Sequence, residues 1–290
     1  MTVLRSLLFA PGNHVRRVEK SLSLATDAVI LDLEDAVANA EKAGTRATIV
    51  EALQRPRRPR GYVRINALPT EWSFGDLVAI VRPGVDGIMV PKVESAADVH
   101  TVEWVLQSLE RERGLPVGRI DLIPIVETAL GFSRLREIAC SGTRVRRLSF
   151  GAGDFTLDLG LTWTRDETEL LPYRSAFVVE SRAAGIEPPL DTVWIDLPDT
   201  VGFELAAERA RGLGFQGKAC IHPDQVDVVN RVFKPGDAEV DYARKVVDAF
   251  AEAQRQGLAA IRVEGRFIDY PLVERARRVL ERVAAIERGG

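Results

Sequence analysis

The stretch Asp121-Leu-Ile-Pro-Ile-Val-Glu-Thr-Ala-Leu-Gly-Phe132 decides how this chain is read, because a run of apolar β-formers delivers one carboxylate, Glu127, at its far end. Leu122 to Val126 reads as a strand buried on both faces, and the residues after it read as a turn into a helix. A second segment repeats the pattern: Val145 to Phe150 is strand-like, Gly151-Ala-Gly153 turns the chain, and Asp154 stands at the exit. Two carboxylates on neighbouring parallel strand ends can converge on one hard cation, with water and substrate oxygens completing its shell, and Mg²⁺ is the expected ion.

Working outward, short β-rich runs alternate with helical patterns. Strands are expected at Leu4–Ala10, Ala28–Leu33, Tyr62–Asn66, Gly87–Val90, Leu122–Val126, Val145–Phe150, Thr192–Asp196 and Gly217–Ile221. Helical periodicity follows each of them, most clearly over Ala96–Arg113. Eight strands, each followed by a helix, predict an α/β fold of the (β/α)8 type, a TIM barrel. No Gly-x-Gly-x-x-Gly follows the first strand, which argues against a dinucleotide-binding sheet. A barrel places function at the C-terminal strand ends. Those ends carry Glu34 and Asp35, Arg64 and Asn66, Lys92, Glu127, Asp154, Asp196 and His222. Beyond the eighth strand, a helix over Ala238–Gln256, an extended pair over Ile261–Ile268 and a last helix over Pro271–Glu287 exceed what closing a barrel needs. The chain is therefore divided into a barrel domain, 1–236, and a C-terminal extension, 237–290, expected to reach a neighbouring subunit.

Composition narrows the function classes. With 290 residues, 46% of them hydrophobic, and a net charge of −3 from 39 basic and 42 acidic side chains, nothing draws the chain globally to nucleic acid or to a membrane. The basic turn Arg55-Pro-Arg-Arg-Pro-Arg60 has no interleaved aromatics and reads as a solvated loop. Two cysteines far apart, Cys140 and Cys220, each in an apolar region, point to a reducing, cytoplasmic setting and offer no zinc site. The apolar run at the N-terminus is short and broken by Arg5, unlike a signal peptide.

The motifs RSLLFAPG (core 6–12), DAVILDLEDAV (27–37), VRIN (63–66), PKVES (91–95), IPIVETALG (123–131), LSFGAGDFTLDLG (148–160), GFQGKACIHPDQV (214–226) and IDYP (268–271) span almost the whole chain. Together, and in this order, they resemble the citrate lyase β-subunit-like branch of the HpcH/HpaI aldolase superfamily, which includes malyl-CoA and citramalyl-CoA lyases. The resemblance implies a barrel with Mg²⁺ on Glu127 and Asp154, Arg64 beside the bound 2-oxoacid, and a trimer or hexamer. It also implies that Asp269 enters the neighbouring subunit's site. Family versions often carry Met where Tyr270 stands, so the last motif departs slightly.

Each residue also has a plainer reading. Glu127 and Asp154 can cap strand ends. Arg64 can form an ion pair at the core edge with Glu34 or Asp35, and a guanidinium so fixed still presents donors to a substrate carboxylate or enolate. Lys92 reads as electrostatic support beneath the substrate rather than as a Schiff-base lysine. His222 reads either as a residue supporting the site from behind or, preferably, as a satisfied core histidine. Arg16, Arg17 and Lys20 sit where coenzyme A phosphates could be met, although charges on a helix surface ordinarily mean only solvation.

The expected reaction is a reversible Claisen-type cleavage of a 3-hydroxy-3-carboxyl acyl-CoA to an acyl-CoA and a 2-oxoacid, with Asp269 and Arg64 catalytic. Arg64, Glu127, Glu34, Asp35 and Lys92 are expected to face substrate. Three alternatives stand beside it: an aldolase acting on free 4-hydroxy-2-oxoacids, a malate synthase or thioesterase type of activity, and a subunit presenting CoA or an acyl carrier protein to a larger lyase.

Overall fold

A computed structural model describes residues 3–289. The chain divides into two compact units, Leu4–Arg231 and a second that begins at Val232. In the first, eight parallel strands close on themselves in sequence order: β1 (Ser6–Pro11), β2 (Ala28–Asp32), β3 (Arg60–Arg64), β4 (Gly87–Val90), β5 (Asp121–Val126), β6 (Ser149–Phe150), β7 (Leu190–Asp191) and β8 (Gly217–Cys220), with β8 pairing back onto β1. This is the expected TIM barrel.

The helices of this unit are α1 (Val15–Leu22), α2 (Lys42–Gln54), α3 (Ser73–Ile80), α4 (Ala96–Glu112), α5 (Ala129–Ser133), α6 (Leu135–Ala139), α7 (Ala152–Leu159), α8 (Leu171–Ala183), α9 (Thr200–Leu213) and α10 (Asp224–Val232). Side-chain caps start several of them, as where Asp199 accepts from Gly202 N at 2.9 Å ahead of α9.

The register fixes what points inward. Leu7 pairs with Ala28, Ile30 with Tyr62 and Met89 with Ile123, and these residues share one buried cluster with Ile125 and Leu190. Alternation then carries the same face upward to Asp32 and Arg64, which are register partners, and to Glu127, two residues beyond Ile125. At the opposite end of the barrel the Tyr62 hydroxyl donates to Asp121 (2.8 Å) and Arg147 pairs with Asp121 (2.9 Å) and Glu187, so that end is closed by polar contacts.

Several sequence expectations change. The seventh strand is Leu190–Asp191 rather than Thr192–Asp196; beyond it Trp194 turns inward, its indole donating to the Asp196 carbonyl at 2.9 Å, and Asp196 lies exposed in a loop. The sixth ladder is confined to Ser149 and Phe150. The single helix expected after Glu127 is broken at Arg134 into α5 and α6. Ala152 and Gly153, expected in a turn, already belong to α7, so that Asp154 lies in the first turn of a helix, where a carboxylate is favoured by the helix dipole. Cys140 is exposed, not buried in an apolar region, whereas Cys220 is buried and its thiol is pushed up to about 12 by that burial. The basic turn is partly structural, because Arg57 pairs with Asp86 at 2.5 Å.

The second unit packs α11 (Asp237–Arg255) against α12 (Tyr270–Gly289), with a short antiparallel pair, β9 (Ile261–Val263) and β10 (Arg266–Ile268), between them in sequence. Val246, Phe250, Val263, Ile268 and Val273 form its core. Among the described residues no helix is long and apolar enough to cross a membrane.

Candidate active site

The site is built on strand ends. Asp32, the last residue of β2, takes Arg64 Nε at 2.7 Å and Nη2 at 2.6 Å on its two oxygens, and also accepts from the backbone of Glu34 and Ala36. Burial disfavours charge on Asp32, yet the Arg64 cation and these bonds outweigh it and hold the carboxyl below its usual range. Arg64 Nη1 reaches Glu34 Oε2 at 2.9 Å, and the Arg64 guanidinium sits 5.0 Å from the centre of the Phe9 ring. Burial works against the Arg64 charge, but its acid partners more than compensate, so it stays ionised. The expected pairing of Arg64 with Glu34 is present; Asp32, which the sequence reading passed over, is its principal partner. Asp35 stands at the rim, its side chain 61% exposed and 3.9 Å from Arg64.

Glu34 is shared. Its Oε1 accepts from Lys92 Nζ at 2.7 Å while its Oε2 faces Arg64. The turn carrying it is gripped from behind by Lys42, whose ammonium donates to the carbonyls of Leu33 (3.0 Å) and Glu34 (2.6 Å) and to Asn66 Oδ1 (2.6 Å). Lys92 also lies 3.4 Å from Asp154 and 3.8 Å from Asp35, and its backbone N–H donates to Glu127 Oε1 at 2.9 Å. Burial alone would lower the basicity of Lys92, but Glu34 and its neighbouring acids raise it well above that of an ordinary lysine, which disfavours the neutral amine a Schiff base requires.

Glu127 is buried beside Gly151. A Cβ at Gly151 would lie 2.2 Å from Glu127 Oε2, so the missing side chain is what admits the carboxylate. Gly151 N donates to Val126 O at 3.3 Å, continuing the strand pairing, and α7 then begins and brings Asp154 to the same rim. Burial, followed by the charges of Asp154 and Glu34, pushes the Glu127 carboxyl up to about 8.

In this connected network the carboxylates of Asp32, Glu34, Asp35, Glu127 and Asp154 outnumber the cations of Arg64 and Lys92, and they still do when Lys42 is counted. A divalent cation at Glu127 and Asp154 answers both the excess charge and the raised proton affinity of Glu127, and two carboxylates are the donor set magnesium takes with water and substrate. Among the described residues no group of three or more His, Cys, Asp or Glu is arranged to bind a metal.

Next to Phe9 lies a cavity of about 360 Å³ between the end of β1, α1 and the loop after β8, lined among others by Pro11, Arg17, Lys20 and His222. His222 is therefore not a core histidine: its side chain is 47% exposed and its Nδ1 is 3.5 Å from Asp224 Oδ2, because Pro223 and Asp224 begin a new helix just beyond the strand. Asp269 belongs to the second unit, where it heads α12 and accepts from Leu272 N at 3.4 Å.

Known proteins resemble this chain along nearly its whole length. Residues 5–223 match the family model described as HpcH/HpaI aldolase/citrate lyase. The citrate lyase subunit beta of Escherichia coli (strain K12) is 38% identical over 96% of this chain and 92% of its own length. The L-malyl-CoA/beta-methylmalyl-CoA lyase of Rhodobacter capsulatus is 35% identical over 94% of this chain and 92% of its own. Among solved structures, CitE from Mycobacterium tuberculosis, in complex with magnesium, acetoacetate and coenzyme A, superposes with a TM-score of 0.77 at 30% identity, covering 97% of this chain and 98% of that one. Matched along nearly its whole length by such proteins, and carrying its carboxylates and arginine at the strand ends of a barrel, the chain belongs to the HpcH/HpaI aldolase/citrate lyase family and is a carbon–carbon lyase.

Proposed function

We propose that this protein cleaves a 3-hydroxy-3-carboxyl acyl-CoA of the malyl-CoA, citramalyl-CoA or citryl-CoA type, reversibly, into an acyl-CoA and a 2-oxoacid. The observation that carries this reading is the convergence of Arg64, Lys92, Glu127 and Asp154 on one end of the barrel, beside a cavity bordered by Arg17 and Lys20. Those two bases suit the phosphates of coenzyme A, which a free 2-oxoacid would not need. This favours the thioester over the free-oxoacid aldolase alternative. The related CitE structure is in complex with magnesium, which supports Mg²⁺ as the ion; the excess of acids around Glu127 and Asp154 supports these two as the residues that would hold it. When bound, the ion would supply Lewis acidity at the oxoacid portion of the substrate.

The chain's own groups account for the rest. The bond between the carbinol carbon and the thioester α-carbon breaks; the hydroxyl gives its proton to solvent and becomes the keto group of the oxoacid. The electron pair passes to the thioester as an enolate. Arg64, fixed by Asp32 and Glu34, directs its remaining donors at the charge that develops, and it does so without reorganising. Asp269 of a neighbouring copy in a trimer or hexamer delivers the proton to the α-carbon. Asp269→Asn should then keep Mg²⁺ binding and lower turnover by about 10²–10⁴-fold, as measured by steady-state kinetics with calorimetry; near-normal turnover would exclude that role.

The function itself is tested by offering malyl-CoA, citramalyl-CoA and citryl-CoA in parallel, trapping the released oxoacid and counting free thiol. Cleavage of one of them, without thiol release, is the expected result and names the substrate. Free thiol would instead mark thioester hydrolysis, and inertness toward all three would direct attention to carrier-bound thioesters.

A further inference from the structure

We propose that Lys92 is the resident counter-ion of the acid cluster, its ammonium competing with the divalent cation for Asp154. The inference rests on the reading of Glu127 and Asp154 as cation ligands and goes beyond it, because it concerns what sets their affinity.

Lys92 acts through two separable parts. Its backbone sits at φ 51°, a left-handed conformation that residues with a side chain rarely adopt. Such strain persists only where the surroundings hold it. Here it lets the Lys92 N–H point at Glu127 Oε1 (2.9 Å) while the side chain extends over the rim to Glu34 (2.7 Å) and Asp154 (3.4 Å). The main-chain bond survives any substitution other than proline, so Glu127 stays anchored when the ammonium is removed.

The two cations of the network differ in freedom. Arg64 is committed through Nε, Nη1 and Nη2 to Asp32 and Glu34, and its side chain is 14% exposed. Lys92 is 34% exposed, ends in a compact charge on a flexible stem, and contacts Asp154, which Arg64 does not pair with. An ammonium that gives up Asp154 keeps Glu34 Oε1 and the nearby Asp35, so it can yield to an incoming divalent cation without losing every partner. Lys92 therefore neutralises part of the cluster before the cation arrives and weakens the cation's hold on it.

The test uses Lys92→Met and Lys92→Gln in the intact protein without substrate, with free Mn²⁺ followed by electron paramagnetic resonance and Mg²⁺ by calorimetry. Both variants should bind about tenfold more tightly than wild type, the size expected from losing one like charge at a partly screened distance. Both should also melt earlier than wild type without metal and show a larger Mg²⁺-induced rise in melting temperature. Affinity unchanged or weaker in both variants, with wild type binding normally, overturns the proposal alone. Failure of wild type to bind either ion overturns the cation-site reading, and the proposal with it.

Discussion

The barrel holds two buried ionic networks that look alike and behave oppositely. Between strands β7 and β8 and the helix layer, Asp191 pairs with Arg174 (2.8 Å) and Lys218 (2.6 Å), and Glu167 with Arg174 (3.0 Å) and Arg209 (3.4 Å). Cations outnumber acids there, and Arg174, Asp191, Lys218 and Glu167 are all essentially sealed from water. Burial raises the proton affinity of Asp191, but Arg174 and Lys218 more than reverse this and hold it below the usual carboxylate range. At the mouth the balance is inverted: acids outnumber cations, Lys92 and Asp154 remain open to water, and burial and like charges raise Glu127 and Glu34. A network sealed from water, in which each acid is matched by cations, holds the fold together. One open to water with more acids than cations is prepared for a further cation, at a cost to stability in that cation's absence.

The comparison is broken most forcefully at the sealed network. Asp191→Ala strands Arg174 and Lys218 and should cost about 3–5 kcal/mol in chemical denaturation, while the folded protein keeps its Mg²⁺ affinity. A loss of cation binding there would join the two networks into one. Next in size, Asp32→Asn frees the Arg64 fork and should lower kcat by about 10²-fold, with Mg²⁺ affinity little changed. An unaltered kcat would make the Asp32 contact irrelevant to catalysis.

Smaller effects sharpen the contrast. Asp154→Ala removes a like charge from the mouth, so the metal-free protein should gain roughly 1 kcal/mol of stability, whereas Mg²⁺ no longer raises its melting temperature. A comparable loss in the metal-free state would show that the acid excess is already compensated. A further contrast lies in pH. Glu127 rises from an ordinary 4.5 to about 8 in the folded protein, so over that interval the metal-free fold binds a proton that the unfolded chain has released. Its stability should therefore fall as pH rises through this window, and the stabilisation given by Mg²⁺ should grow across it. Glu127→Gln should flatten both trends in melting curves taken between these limits.

The barrel was legible because its strands are apolar runs that end in charge, and Glu127 was legible for the same reason. Asp32 was hidden inside such a run. In Val-Ile-Leu-Asp-Leu-Glu-Asp, the first acid reads as an interruption of a strand, and only the register that sets it opposite Arg64 reveals its use. The seventh strand was misplaced because its ladder is only Leu190 and Asp191, too short for alternation to register, while the apolar Trp194 and Ile195 beyond it imitate one. His222 lacked a signal of a different kind: an imidazole after a buried strand is placed by the turn that follows, not by the strand. Lys92 was read as support for the site, and its left-handed backbone, which aims one residue at two acids, had no mark in the sequence.

The most direct measurement titrates Mg²⁺ by calorimetry into wild type, Glu127→Ala and Asp154→Ala, and follows cleavage of the preferred CoA ester by the same preparations with and without EDTA. The expected result is one cation per chain in wild type, none in either variant, and cleavage that vanishes with binding. Undiminished binding in the variants, or cleavage that persists in EDTA, would contradict the account.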